Sequence, residues 1–355
     1  MTTSGQRIPS LDGWRAIAIS LVIYWHLVYS YRKWSSVVFD WGALGVYVFF
    51  VISGFLITLM LLREHEKTGS VSLRGFYIRR VFRIFPPLIF YLAGVAILAK
   101  LGLAVAGMRS ILFSLGFLRN FFPGPYPILQ HFWSLSVEEQ FYLMWPFIFT
   151  RVSRKTAARL LLGVILIEPF VRSGMFLWLG NRGNWQWGTE AIADGLACGC
   201  LLALSQQELR SYRWYQWLSR SYAWLLLPLV TIAGAHVRPE LFYHGVGKTL
   251  IFLSVALAMD ISIVRFESLP GRILNSVPFV FVGKLSYSLY LWQQVFLKDW
   301  TQPYGWFPLN LGLALLLALF SFHFIEEPAV RFGREFAARA KKGRAMTAAA
   351  VATLR

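Results

Sequence analysis

Apolar stretches separated by short polar loops recur from one end of the chain to the other. They begin near Trp14, Trp41, Ile84, Ser134, Arg159, Thr189, Ser221, His244, Asn275 and Pro308. A helix that crosses hydrocarbon needs about 20 mainly apolar residues. The pattern therefore predicts an all-α, polytopic membrane protein of about ten transmembrane helices. The run Ile111–Leu118 is too short to cross and reads as an interfacial or re-entrant piece ahead of the loop Arg119–His131. Met1–Ser10 has no cleavable-signal pattern, so the first stretch reads as a retained span.

The charges between the stretches set an orientation. One set of loops holds Arg63, Lys67, Arg74, Arg79, Arg80 and Arg83, then Arg151, Arg154, Lys155 and Arg159. The same set continues with Arg210, Arg213, Arg220, Arg265 and Arg272, and ends in the basic tail from Arg331 to Arg344. The alternate loops hold only Arg32, Lys33, Arg109, Arg119, Arg182, Arg238 and Lys298. Positive charge is retained on the cytoplasmic side, so both termini are expected there, which an even number of spans satisfies. Residues 1–335 read as one transmembrane domain and 336–355 as a short, basic, disordered cytoplasmic tail. No internal repeat divides the first segment.

Composition sharpens this reading. Hydrophobic residues make up 57% of the 355 and charged residues only 15%, well below the quarter or so usual in soluble domains. The net charge of +18 would suit a nucleic-acid binder, but the basic residues sit in clusters between apolar stretches, so no nucleic-acid partner is expected. The two cysteines, Cys198 and Cys200, are too close in sequence for ordinary disulfide geometry.

Ionisable groups within spans are costly unless paired or hydrated, which makes each a functional candidate. The first span, LDGWRAIAISLVIYWHL, carries Asp12 and Arg15 at its cytoplasmic entry and His26 eleven residues on, about 16 Å deeper. The fourth span opens HFWSLSVEEQFYLMWP and runs the other way, which puts Glu138 and Glu139 in its outer half, at the depth expected for His26. A carboxylate beside an imidazole orients the ring and raises its basicity, as a general base requires. The competing account is a structural His–Glu hydrogen bond that locks two helices.

A second cluster lies in SLRGFYIRRVFRIFPPL, where Arg79 and Arg83 share a helix face and Pro86 and Pro87 are expected to bend the start of the span. Such a cluster either anchors to anionic headgroups or clamps phosphate through bidentate guanidinium contacts, and spacing does not choose between these. Ser53 and Gly54 read as small-residue packing, and Glu168 and Arg172, one turn apart, are expected to pair. Asp194 reads as a polar break with a packing or site-lining role, and Lys248 and Lys284 as snorkelling residues. No acidic metal site is visible, and no metal is expected.

Taken together, these blocks resemble the acyltransferase-3 family of membrane acyltransferases, which commonly modify cell-surface glycans. Arg15 and His26 match its opening motif, an Arg followed after ten residues by His. GVYVFFVISGFLIT is similar to its second-helix motif, and Arg80 and Arg83 match its Arg-x-x-Arg segment. HFWSLSVEEQFYLMWP, which includes His131, resembles its most distinctive block. GKLSYSLYLWQQ and FIEEPAVRF, with Glu326, resemble its closing motifs. One departure is Gln293, where the family often has His.

The resemblance implies a multi-pass enzyme of a bacterial inner membrane, acting without the appended extracytoplasmic domain that some members carry. Acyl-CoA, in the first instance acetyl-CoA, would dock with its phosphates near Arg15, Arg80 and Arg83. His26 would then act as general base on a hydroxyl of an extracytoplasmic or lipid-linked glycan, with Glu138 or Glu139 orienting it; an acyl-histidine intermediate is the competing route. The other class to weigh is a secondary transporter or exporter of a small polar metabolite, which also places ionisable groups at mid-depth but usually shows repeated halves.

Overall fold

The computed structural model describes residues 8–32, 41–180, 182, 184–297 and 306–339. They are mainly helical, with no strand among the described residues. The helices are α1 (Pro9–Arg32), α2 (Trp41–Thr68), α3 (Leu73–Lys100), the short α4 (Met108–Leu115), α5 (Phe132–Phe149) and α6 (Arg154–Leu179). They continue as α7 (Ala193–Ser211), α8 (Arg213–Arg220), α9 (Leu227–His236), α10 (Glu240–Val264), α11 (Leu269–Leu274), α12 (Val277–Leu297) and α13 (Leu309–Arg339).

Five of these, α2, α3, α6, α10 and α13, are long and apolar enough to cross a membrane. Every stretch predicted from the sequence contains a helix, but the one from Ser221 does not form a long one. It breaks into a turn at Ala223–Leu225 and then α9, of 10 residues, which opens on Pro228. The short piece expected at Ile111–Leu118 is α4, of 8 residues. Helix α3 runs unbroken through Pro86 and Pro87. Its start is capped by Ser72, whose hydroxyl accepts the Gly75 N–H, and Ser153 caps α6 in the same way from Thr156. Helix α13 continues past residue 335 to Arg339, so the anticipated boundary falls inside a helix; 340–355 lie outside the described residues.

Burial separates inner from outer helices. The apolar windows of α2 and α10 are 72% buried, whereas those of α6 and α13 are 22% and 28% buried. Ile89 and Ile97 on α3, Leu166, Ile167 and Phe170 on α6, and Leu316 on α13 stand exposed. An apolar belt of this kind is the surface of a membrane protein, since water would penalise it and hydrocarbon does not.

Helix α1 packs on α12 and α2, α2 on α7, and α12 on α13. Glycine makes the tightest contact possible. A Cβ on Gly54 of α2 would collide with the Leu196 carbonyl of α7, and one on Gly199 of α7 with the Val51 carbonyl of α2. The small-residue reading of this stretch therefore holds for Gly54. Ser53 does something else, described below.

A fully buried ion pair ties α6 to α7. The Arg172 guanidinium donates to both Asp194 carboxylate oxygens at 2.9 Å, and to the carbonyls of His244 (2.6 Å) and Gly245 (2.9 Å). Arg172 thus does not take Glu168 as its partner. Glu168 instead accepts the backbone N–H of Ala193 at 3.2 Å. Asp194 serves packing: it satisfies an arginine that also fastens the distorted turn Tyr243–Gly247 in α10.

Candidate active site

Two cavities lie end to end inside the bundle. The first, of ≈ 270 Å³, is lined by Arg15, Arg79, Arg80, Arg83 and Arg334, by Ser53, Glu138 and Tyr142, and by an apolar wall that includes Val46, Phe49, Ile52, Leu56 and Met60. The second, of ≈ 370 Å³, is lined by His26, His131, Lys248, three glutamines (Gln130, Gln186 and Gln294) and an aromatic set of Trp25, Tyr47, Trp133, Trp187 and Tyr243. Val46 and Tyr290 line both.

Four helices run past both cavities, and their sequence order gives the stacking direction. Along α1, Arg15 meets the first cavity and Trp25 and His26 the second; along α12, Ser286 and Tyr287 meet the first and Gln294 the second. Helices α2 and α5 run the opposite way. Gly42 and Ala43 of α2 and Trp133 of α5 line the second cavity, and Ser53, Met60, Glu138 and Tyr142 line the first. The eleven residues from Arg15 to His26 separate the two levels by about 16 Å.

This register moves the two carboxylates away from the histidine. Seven residues of chain separate His131, at the second cavity, from Glu138, a descent of about 10 Å along α5. Glu138 accepts hydrogen bonds from Ser53 Oγ and Tyr142 Oη, each at 3.1 Å. Glu139 pairs with Arg80 at 3.3 Å, and the Arg80 guanidinium lies 3.5 Å from the Tyr142 ring centroid. Among the described residues the expected pairing of His26 with Glu138 or Glu139 is therefore replaced by three contacts at the arginine level. The physical reason is charge. A carboxylate withdrawn from water needs donors, and α2, α3 and α5 bring the Ser53 and Tyr142 hydroxyls and the Arg80 guanidinium to these two.

One contact of the His26 ring is with its own helix. His26 Nδ1 lies 2.8 Å from the Val22 carbonyl oxygen. A carbonyl can only accept, so Nδ1 carries the proton and, in the neutral ring, Nε2 keeps the lone pair a base needs.

The arginines are not equivalent. Arg15 Nε donates to Ser286 Oγ at 3.2 Å, and Arg79 pairs with Glu64 at 3.3 Å. Arg83 has no hydrogen bond or ion pair among the described residues, while Glu326, held by Ser288 Oγ at 2.8 Å, lies within electrostatic reach of it. Of the five arginines on this wall, two have a carboxylate partner, and Glu138 is the one acid among the described lining residues. The first cavity is thus a cationic pocket with an apolar continuation, chemistry suited to a phosphate-bearing molecule with a long thin arm.

Several lining residues carry no usable sequence signal. Lys248 does not snorkel: it is 2% exposed and lines the second cavity. Trp133 and Trp187 stack there, with centroids 6.1 Å apart and planes 13° from parallel, but Trp187 comes from a loop that no pattern singles out. Arg334 reads as part of a basic tail until α13 carries it to the first cavity. His131 and Tyr290 lie inside recognisable blocks, yet nothing in those blocks says that they face a cavity.

The chain is similar to the O-acetyltransferase OatA of Staphylococcus aureus (strain NCTC 8325 / PS 47), 29% identical over 374 residues, which cover 96% of this chain and 60% of that protein. It is also similar to a provisionally named O-acetyltransferase of S. aureus strain COL, 28% identical over 90% of this chain and 57% of that one. The chain thus spans about three-fifths of the length of the curated relatives it matches. No solved structure matches it. An acyltransferase domain family matches residues 8–325, nearly the whole of the paired cavities' framework, and the chain belongs to that family, acyltransferase-3.

Proposed function

We propose that the protein is a membrane O-acetyltransferase that moves an acetyl group from acetyl-CoA on the cytoplasmic side to a hydroxyl of an extracytoplasmic or lipid-linked glycan. The bundle crosses the bacterial inner membrane about ten times, with both termini in the cytoplasm. The observation that carries this reading is the pair of cavities meeting at Val46 and Tyr290, with arginines at one end and His26 at the other.

Several features support the assignment of the two ends. The arginine-lined end belongs to the loops richest in Lys and Arg, which favours the cytoplasm, where acyl-CoA is available. Arg83, with Arg15, Arg80 and Arg334 around it, would hold the phosphates, and the apolar wall from Met60 to Val46 would accompany the arm toward the junction. At the other end, flat indole and phenol faces beside amide side chains suit a sugar ring, which presents an apolar face and a rim of hydroxyls.

The chemistry then falls to His26 in the second cavity. His26 Nε2 takes the proton from the acceptor hydroxyl, whose oxygen attacks the thioester carbonyl carbon. The C–S bond breaks, the thiolate leaves into the first cavity, and the proton held by His26 neutralises it or passes to water. Glu139 acts on Arg80 and Glu138 on the wall they share, as positioning residues for the donor rather than partners of the base. The relatives' names favour acetyl as the group and oxygen as its acceptor; they supply no support for a transporter.

The test is label transfer from radiolabelled acetyl-CoA into glycan, using inside-out membrane vesicles. His26→Ala should lower transfer by about 100- to 10,000-fold, the usual range for a general base, while leaving CoA binding intact. Undiminished transfer removes His26 from the mechanism. Mass spectrometry of surface glycans from cells with and without the protein would then name the acceptor by its added acetyl mass.

A further inference from the structure

Tyr290 lines both cavities, and the reaction above gives its hydroxyl no role. Tyr290 belongs to α12 and is 7% exposed; its ring packs edge-on against Phe49 at 6.2 Å and His131 at 5.3 Å between centroids. Its oxygen lies 2.5 Å from Ser134 Oγ and 3.1 Å from the His131 carbonyl oxygen, and Ser134 Oγ is also 3.1 Å from that carbonyl. Three contacts thus share two hydroxyl protons. A carbonyl has none to give, so one contact is always without a proton of its own. When the tyrosyl proton turns elsewhere, Ser134 can still satisfy His131. That redundancy lets Tyr290 offer its O–H to a ligand without stranding a buried acceptor.

Resting on the acyl-transfer reading, we propose that Tyr290 is a catalytic residue that donates its O–H to the carbonyl oxygen of the thioester at the junction and stabilises the oxyanion formed there. The acceptor oxygen adds to the carbonyl carbon, and the C=O π electrons move onto oxygen, where the Tyr290 hydrogen bond meets the new charge. Collapse restores C=O and expels the thiolate, and Tyr290 keeps its proton throughout. The position suits this role because Tyr290 alone among the hydroxyl-bearing side chains lines both cavities among the described residues. A donor fixed in place before the reaction costs no reorganisation when charge develops.

Tyr290→Phe keeps the ring and the packing and removes only the donor. With radiolabelled acetyl-CoA and inside-out vesicles, kcat should fall by about 100- to 1000-fold, with the KM for acetyl-CoA and the affinity for CoA unchanged. A wild-type kcat overturns the proposal, as does a loss confined to KM or to CoA affinity, which would make Tyr290 a gate or a packing residue. Ser134→Ala provides the second variant should Tyr290→Phe not fold. In that variant the cluster holds a single hydroxyl proton, for which the His131 carbonyl and the substrate compete, so transfer should slow about tenfold at unchanged CoA affinity. Ser134→Ala at the wild-type rate overturns the shared-proton argument and the proposal with it. The two levels of inference separate cleanly: full activity in Tyr290→Phe beside an inactive His26→Ala sinks only the role of Tyr290. Absence of label transfer by the unaltered protein sinks the acyl-transfer reading itself.

Discussion

Replacing Arg172 by Met should destabilise the protein more than any comparable change on its surface. Both side chains of the Arg172–Asp194 pair are 0% exposed, so solvent screens neither. Deleting the guanidinium leaves Asp194 a buried anion supported by the Thr249 hydroxyl, and takes the arginine donors from the carbonyls of His244 and Gly245. Breaking a buried pair from one side costs about 3–5 kcal/mol, much of it the stranded charge. For a chain of this size that lowers the melting temperature by about 4–7 °C.

The protein carries its own probe for this. Cys198 and Cys200 are its two cysteines, both buried on α7 within two turns of Asp194, so a fluorogenic maleimide should react only as that helix opens. Labelling during a temperature ramp in detergent should start earlier in Arg172→Met. In Arg172→Met with Asp194→Leu much of the loss should return, because no charge is then left unpaired. A single variant that labels at the wild-type temperature would refute the reasoning, and so would a double variant no better than the single one. Because the same arginine fastens the turn that carries Tyr243 toward Lys248, the single variant should also raise the KM for the glycan.

Other expectations follow from the same geometry. Arg83→Ala should weaken CoA binding about tenfold or more by isothermal titration, since Arg83 lines the cavity and makes no hydrogen bond or ion pair among the described residues. Arg334→Ala, at the exposed mouth, should cost only a few-fold and fade as salt rises from about 0.05 M to 0.5 M; equal, salt-independent losses would contradict this ordering. Gly54→Ala or Gly199→Ala should force α2 and α7 apart, which early maleimide labelling and poor recovery of folded protein would register. Trp187→Ala should raise the KM for the glycan acceptor with little change in kcat, and a pure kcat effect would move Trp187 from binding to chemistry.

Most helices were legible because apolar length is a local property: each stretch of sequence must satisfy its own backbone in hydrocarbon. The stretch from Ser221 was the exception. Pro228 follows a run of residues with no cap before it, and apolarity by itself does not guarantee an unbroken helix. Candidate residues were legible for a related reason: an Arg, Glu or His within an apolar run is costly, and that cost is visible without any partner in view.

Partners were another matter. Helical spacing can nominate only neighbours one turn away, so it offered Glu168 to Arg172, whereas the true counter-ion lies 22 residues on, across a helix interface. Likewise the depth of Glu138 and Glu139 depended on where α5 begins and which side chains α2 and α3 bring to it, Ser53 and Arg80.

The chain's pattern by itself determined a bundle of apolar helices, a bias of basic loops to one side, and a short roster of polar residues worth explaining. Only the packed bundle decided that the arginines and His26 occupy separate cavities, that the carboxylates belong with the arginines, and that Tyr290 lies where the cavities meet. Helix formation depends on hydrogen bonds within a segment, so a sequence window contains its causes. A cavity is the space left between segments remote in sequence, and its walls exist only once those segments have packed.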